Sequence, residues 1–222
     1  MERCPFRPAL VAALVAGTIL ASGPLRAQEI EPAAPQAATA AVLARIESDP
    51  RQPDGYNADL ELHVKLHSFP FIGLSVHGKS EFHRPGRYHY KLQNVPRIAG
   101  KFDDLRYDLG DPATWARKFD ISLAPQSTEE VPVLRLTPKH PGLVTELDIG
   151  TDATHGRLLR ATWRRKDGGT IVLTQTYGPV GAADVVLKQH ANIDIPRMHA
   201  ELTATYTNVT LATPTFATVP ER

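Results

Sequence analysis

Tyr56-Asn57-Ala58-Asp59-Leu60-Glu61-Leu62-His63-Val64-Lys65-Leu66 is the stretch on which the fold turns. Tyr56, Ala58, Leu60, Leu62, Val64 and Leu66 alternate without a slip against Asn57, Asp59, Glu61, His63, Lys65 and then His67. Successive side chains of a strand point to opposite faces, so this order of residues describes one long half-buried strand. One face meets an apolar interior and the other meets water, the arrangement common in antiparallel sheets.

Upstream of that strand, Asp49-Pro50 and Gln52-Pro53-Asp54-Gly55 read as a stop and a turn, because proline disfavours helix in the residue before it and Asp-Gly suits a tight reversal. Before the stop, residues 36–48 (QAATAAVLARIES) have Ala-rich helix propensity and apolar Val42, Leu43 and Ile46, which predicts one amphipathic helix. Residues 28–35, rich in Pro and Ala, read as a flexible tail. Residues 1–27 have the layout of a cleavable secretory signal peptide: Arg3 and Arg7, then the uncharged run Ala9–Ala21, then Gly23-Pro24 and a cut expected between Ala27 and Gln28. The apolar run is too short for a membrane helix, which needs about 20 residues. Cys4, the single cysteine, lies inside that segment, so the mature chain is expected to have no disulfide, no Cys-ligated zinc and no Cys nucleophile. An exported protein working in the periplasm is the expectation.

Downstream, further strands are predicted at residues 76–83, 88–95, 133–137, 143–149, 158–165, 170–177, 185–190 and 200–209. Pro85-Gly86, Pro141-Gly142, His155-Gly156 and Asp167-Gly168-Gly169 punctuate them as an antiparallel meander. With Pro85, Gly86 and Arg87 as a loop, Phe82 is expected opposite Tyr90, Ser80 opposite Leu92, and His83 beside His89. With Asp167-Gly168-Gly169 as a loop, Trp163 is expected opposite Leu173. Between Val95 and Pro132 the alternation fails. Asp111-Pro112 there offers an N-cap and a first-turn proline for a short helix carrying Trp115 and Phe119. The chain reads as one domain over residues 36–211, with a C-terminal tail at 212–222.

Lys plus Arg number 25 and Asp plus Glu 24, so no net field draws nucleic acid or an anionic membrane, and nucleic-acid binding has no support. A hydrolase elbow, a phosphate loop, a dinucleotide fingerprint and a zinc helix motif are all missing. Among the histidines, His63 and His67 share a strand face but stand roughly 13 Å apart at about 3.3 Å per residue, too far to share an ion. His83 and His89 form the remaining two-ligand option, without a third ligand in sight. No metal, no cofactor and no enzyme activity is the resulting expectation. Arg164-Arg165-Lys166, with Arg157 and Arg160, reads first as a solvated hairpin tip and second as an anion contact. Phe69, Phe71 and Ile72 place apolar side chains in a loop, either tucked under the sheet or marking a contact surface.

The signal segment, the N-terminal helix, the long alternating strand, Gly78, and above all Arg84-Pro85-Gly86-Arg87-Tyr88-His89-Tyr90 together resemble the LolA/LolB-like lipoprotein carrier superfamily. Leu134-Arg135-Leu136-Thr137-Pro138-Lys139 and the Asp167-Gly168-Gly169 hairpin are similar to that family's second half. The resemblance implies a mostly β (α+β) fold, an incomplete antiparallel β-barrel with an N-terminal helix and a short helix covering an apolar cavity. It also implies lipid or lipoprotein acyl chains as partners, with an inner-membrane donor or outer-membrane acceptor, carried by a monomer. Leu60, Leu62, Val64, Leu66, Phe82, Tyr90, Leu92, Leu136, Leu147, Trp163 and Leu173 are then expected to line the cavity. An envelope sensor using the same half-barrel to contact another protein is the alternative.

Overall fold

The computed structural model describes residues 34–68, 71, 73–93, 104–108, 111–196 and 198–212. The segment expected to be a signal peptide lies outside these residues, as do Phe69 and Ile72 and all of the C-terminal tail beyond Ala212.

The elements follow in the order α1 (Ala34–Ser48), β1 (Gly55–Leu66), β2 (Gly73–His83), β3 (Arg87–Gln93), β4 (Asp104–Asp108), α2 (Pro112–Lys118), β5 (Phe119–Leu123), β6 (Val133–Pro138), β7 (Val144–Thr151), β8 (Leu158–Arg165), β9 (Thr170–Val180), β10 (Ala183–Ile195) and β11 (Met198–Leu211). Helix α1 starts two residues before the expected position, with Pro35 in its first turn, where a missing N–H costs no hydrogen bond.

All eleven strands share one antiparallel sheet in the order β4-β3-β2-β1-β11-β10-β9-β8-β7-β6-β5. A plain meander was expected; instead the first and last strands pair along their length, Leu60 opposite Tyr206 and Leu62 opposite Ala204. The break falls in mid-sequence, between β4 and β5, which are the two free edges. The sheet is therefore a barrel left open, and the chain that joins its edges contains α2.

Strands β4 and β5 lie between Val95 and Pro132, where the sequence shows no long alternation. Phe119, expected as the last apolar residue of the helix, instead opens β5; its N–H bonds back to Trp115 O and so ends α2. At the other end Asp111 caps the helix, its carboxylate accepting from the Ala113 N–H at 3.0 Å, with Pro112 at the first position as the sequence led us to expect.

Two hairpin registers differ from expectation by two residues. His83 pairs with Arg87 across the loop Arg84-Pro85-Gly86, so Phe82 faces Tyr88 and Ser80 faces Tyr90. Likewise Trp163 faces Ile171, and Leu173 faces Ala161. Because side chains alternate with a period of two, a two-residue slip leaves every residue on its expected face. The observed loops keep the expected three-residue length but start one residue earlier, which puts Gly86 (φ 126°) and Gly168 (φ 82°) at the last loop position, where they supply the positive φ that short turns need.

Two apolar clusters occupy the concave side. One is aromatic, with Tyr56, Phe82, Tyr88 and Tyr206 packed beside Leu60 and Val185, and Tyr56 stacks on Phe82 at 4.9 Å between centroids. The other lies under the helices: Val42 of α1 and Trp115 of α2 cover Leu134, Leu136, Leu147 and Ile149, and Leu134 and Leu136 have no exposed surface at all.

Helix α1 is fastened at its C-terminal end. Arg45 donates to Ala153 O at 2.5 Å and Arg84 donates to Glu47 O at 2.8 Å. A Cβ placed on Gly156 (φ 74°) would come within 2.6 Å of the Arg45 and Ile46 backbone. Glycine at 156 thus sets how closely the helix approaches the β7–β8 turn.

Candidate functional site: an apolar groove on the open half of the concave face

Past the helices, the concave face is not filled. Leu62 and Ala204 of β1 and β11 lie in one row with Gln189 of β10. Leu202, Ala191, Leu173 and Ala161 form the next row, followed by Ile171 and Trp163. With Leu60, Tyr90, Leu92 and Val144 these rows enclose a groove of about 330 Å³, open to solvent along one side. Its walls are hydrocarbon and aromatic apart from Gln189 at one end and Arg165 near the β8–β9 hairpin. This volume is at the lower end of the roughly 300–1,000 Å³ typical of ligand pockets.

Of the residues expected to line a ligand cavity, Leu60, Leu62, Tyr90, Leu92, Trp163 and Leu173 lie along this groove. Val64 and Leu66 lie on the same strand face, half-buried, beyond the groove wall. Leu136 and Leu147 point to the concave side but are packed under α1 and α2, so helix and side chains close the space there. Phe82 lines a separate cavity of about 340 Å³ at the helix-covered end, shared with Ile46, Trp115 and Tyr177 and with charged Asp49, Arg84 and Arg157. Sequence reasoning missed Val144, Arg165, Ile171, Gln189, Ala191, Leu202 and Ala204. Ile171 was findable from the hairpin, since a loop starting one residue earlier sets it opposite Trp163. Ala191 and Ala204 gave little signal because small residues scarcely mark a period.

Arg165, the groove's cation, is held by Asp167 through two contacts of 2.7 and 3.1 Å. That hydrogen bond with Arg165 is the main reason the Asp167 carboxyl is pulled down to about 2. Three arginines of the run are paired with carboxylates, whereas Arg160 and Lys166 are exposed. Arg157 bonds Asp152 and Asp184 at 2.9 and 2.7 Å, and Arg164 bonds Glu146 and Asp148 on the convex face. Asp148 is buried there. Burial pushes its carboxyl up, but hydrogen bonds from Arg135, Arg164 and Gln126 outweigh that and hold it at about 2.

In the observed register His83 and His89 are diagonal rather than direct neighbours. His89 sits opposite Glu81, their side chains 3.7 Å apart, and His83 sits opposite Arg87. Burial and the Arg87 charge push His83 below the ordinary imidazole range. Among the described residues no group of three or more His, Cys, Asp or Glu converges on a point. Phe71, from the apolar loop, is 71% exposed.

No protein-family model matches the chain, and no curated protein matches it in sequence. Solved structures do match in shape. A domain from Vibrio parahaemolyticus assigned to outer membrane lipoprotein sorting aligns with 80% of this chain and 93% of its own, at 10% identity and a TM-score of 0.58. A DUF1329 family protein from Desulfovibrio piger covers the same shares at 12% identity and a TM-score of 0.53. A LolA superfamily protein from Nitrosomonas europaea aligns with 79% of this chain and 94% of its own, at 9% identity and a TM-score of 0.46. The chain shares the fold of the first two of these structures and is an incomplete antiparallel barrel, as the long alternating strand and the Arg84–Tyr90 stretch led us to expect. Likeness at this level of identity speaks for the fold alone.

Proposed function

We propose that this protein is a non-enzymatic periplasmic carrier or binding protein for lipids or lipoprotein acyl chains, with the groove between Leu62 and Trp163 as the binding site. The observation that carries the reading is the groove itself: a concave, almost wholly apolar surface that the described residues leave uncovered, in a sheet whose other half is covered by α1 and α2. Keeping Leu62, Leu92, Trp163 and Ile171 against water is unfavourable, and each methylene of a chain laid over them gains roughly 0.8 kcal/mol. A groove of this size suits one acyl chain rather than several. The edges β4 and β5, not bonded to one another, let the mouth widen without breaking a strand ladder. A lipoprotein-sorting assignment for a protein of the same fold supports this choice of ligand.

Gentle purification followed by native mass spectrometry tests the reading: bound lipid or lipopeptide is the expected result, removable by an apolar fluorescent competitor. Repeated recovery of empty protein that also fails to take up N-phenyl-1-naphthylamine would overturn it.

A further inference from the structure

One group in the groove wall has hydrogen bonds that the protein does not complete. Gln189 is 7% exposed, and its Oε1 accepts from the Tyr206 hydroxyl at 2.6 Å and the Tyr90 hydroxyl at 3.2 Å. Burial pushes the Tyr90 hydroxyl well above its ordinary range, so it remains a protonated donor at neutral pH. With Oε1 turned towards the tyrosines, both hydroxyl protons have an acceptor. The Gln189 Nε2, carrying two hydrogens, is buried and has no partner. Buried amides are almost always satisfied, and a wall that met only hydrocarbon would be better served by leucine or methionine here.

Resting on the proposed acyl-binding role, we infer that Gln189 is a polar anchor and that the groove selects neutral acyl esters or amides. The ligand carbonyl accepts from Gln189 Nε2 while the hydrocarbon lies along Leu62, Leu92, Trp163 and Ile171. A carbonyl is the acceptor that suits a neutral donor enclosed by apolar walls. A carboxylate placed there would lack a cation, because Arg165 lies near the β8–β9 hairpin and is bonded to Asp167.

The test is displacement of N-phenyl-1-naphthylamine from the full chain by methyl laurate, N-methyl dodecanamide and dodecane, on wild type, Gln189→Leu and Gln189→Met. Methionine keeps the length of the side chain without an N–H donor or a charge, and the Tyr90 and Tyr206 hydroxyls, 3.1 Å apart, can bond each other, so this variant guards against misfolding of the leucine variant. Wild type should take the ester and the amide roughly fivefold to tenfold more tightly than dodecane, as one net hydrogen bond implies. Both variants should bring that ratio close to one while dodecane binding persists. Equal binding of all three ligands by wild type, or a ratio unchanged in both variants, would overturn the anchor and leave the carrier reading standing. Failure of the probe to bind wild type at all would overturn both.

Discussion

The covered half of the concave face, around Leu134 and Leu136, and the open half, around Leu62 and Leu92, are written alike in the sequence. Leu134-Arg135-Leu136 and Leu60-Glu61-Leu62 are both alternations of leucine with a charged residue. In the first, Trp115 and α1 lie on the leucines and exclude water completely; in the second, Leu60 is buried beside the aromatic cluster while Leu62 is left half-exposed along the groove. Alternation thus declares an apolar face without saying what will cover it. Whether that face becomes a core or a binding surface depends on where the helices land, and that is set by contacts distant in sequence such as Arg45 with Ala153.

The largest way to break this contrast is to remove the plug. Trp115→Ala should cost roughly 3–5 kcal/mol in urea unfolding, the range for deleting a fully buried aromatic ring, whereas Leu92→Ala in the groove should cost under about 1.5 kcal/mol because the space beside it is already empty. Equal costs would mean that the two halves are packed alike.

Next in size is the ion cluster on the convex side of the covered half. Breaking a fully buried pair costs roughly 3–5 kcal/mol, and since Arg164 is 43% exposed, Asp148→Asn is expected to lose about 2–3 kcal/mol. Its pH signature is more specific. The folded carboxyl titrates at about 2, below its unfolded value near 3.9, so its stabilisation is fully present above about pH 4 and is lost as the pH falls towards 2. Wild type should lose its advantage over Asp148→Asn across that window, read as converging melting temperatures.

A smaller effect is expected at the fastening of α1. Gly156→Ala puts a Cβ against the helix backbone and an L side chain at φ 74°, at a cost of about 1–3 kcal/mol. Because the strain falls on the helix, dye binding to newly exposed apolar surface should rise before global unfolding does. A wild-type dye response would show that α1 tolerates displacement without uncovering the core.

The smallest change in stability should accompany the largest change in binding. Leu62→Glu sets a carboxylate in the groove wall, where an acyl chain would have to bury it, so fluorescent fatty-acid binding should vanish while the melting temperature moves by only a few degrees. His63→Gln, one residue on, faces the convex side beside Ser75 and should change neither. If both variants bind alike, strand β1 does not line a ligand site.

Much of this was legible in the chain. The alternation from Tyr56 to Leu66 gave the strand and its two faces, and the Gly86 and Gly168 loops gave two hairpins on the correct faces. Asp111-Pro112 gave the α2 cap. Short edge strands were not legible: Phe119-Asp120-Ile121-Ser122-Leu123 alternates as it should, but five residues next to a helix carry too little period to stand out. The two-residue register slips escaped for a related reason, since a period of two cannot distinguish registers that differ by two.

What the sequence determined by itself is local: which residues pair in apolar faces, where the chain turns, and that one side of the sheet avoids water. These follow from side-chain period and backbone preference, which act over a few residues. Tertiary structure alone decided that β1 closes on β11, that the barrel stays open between β4 and β5, and that helices cover Leu134 and Leu136 but not Leu62 and Leu92. The physical reason is that apolar burial is non-directional. It rewards any cover equally, and only the three-dimensional fit of Gly156, Arg45 and Trp115 determines which leucines receive one.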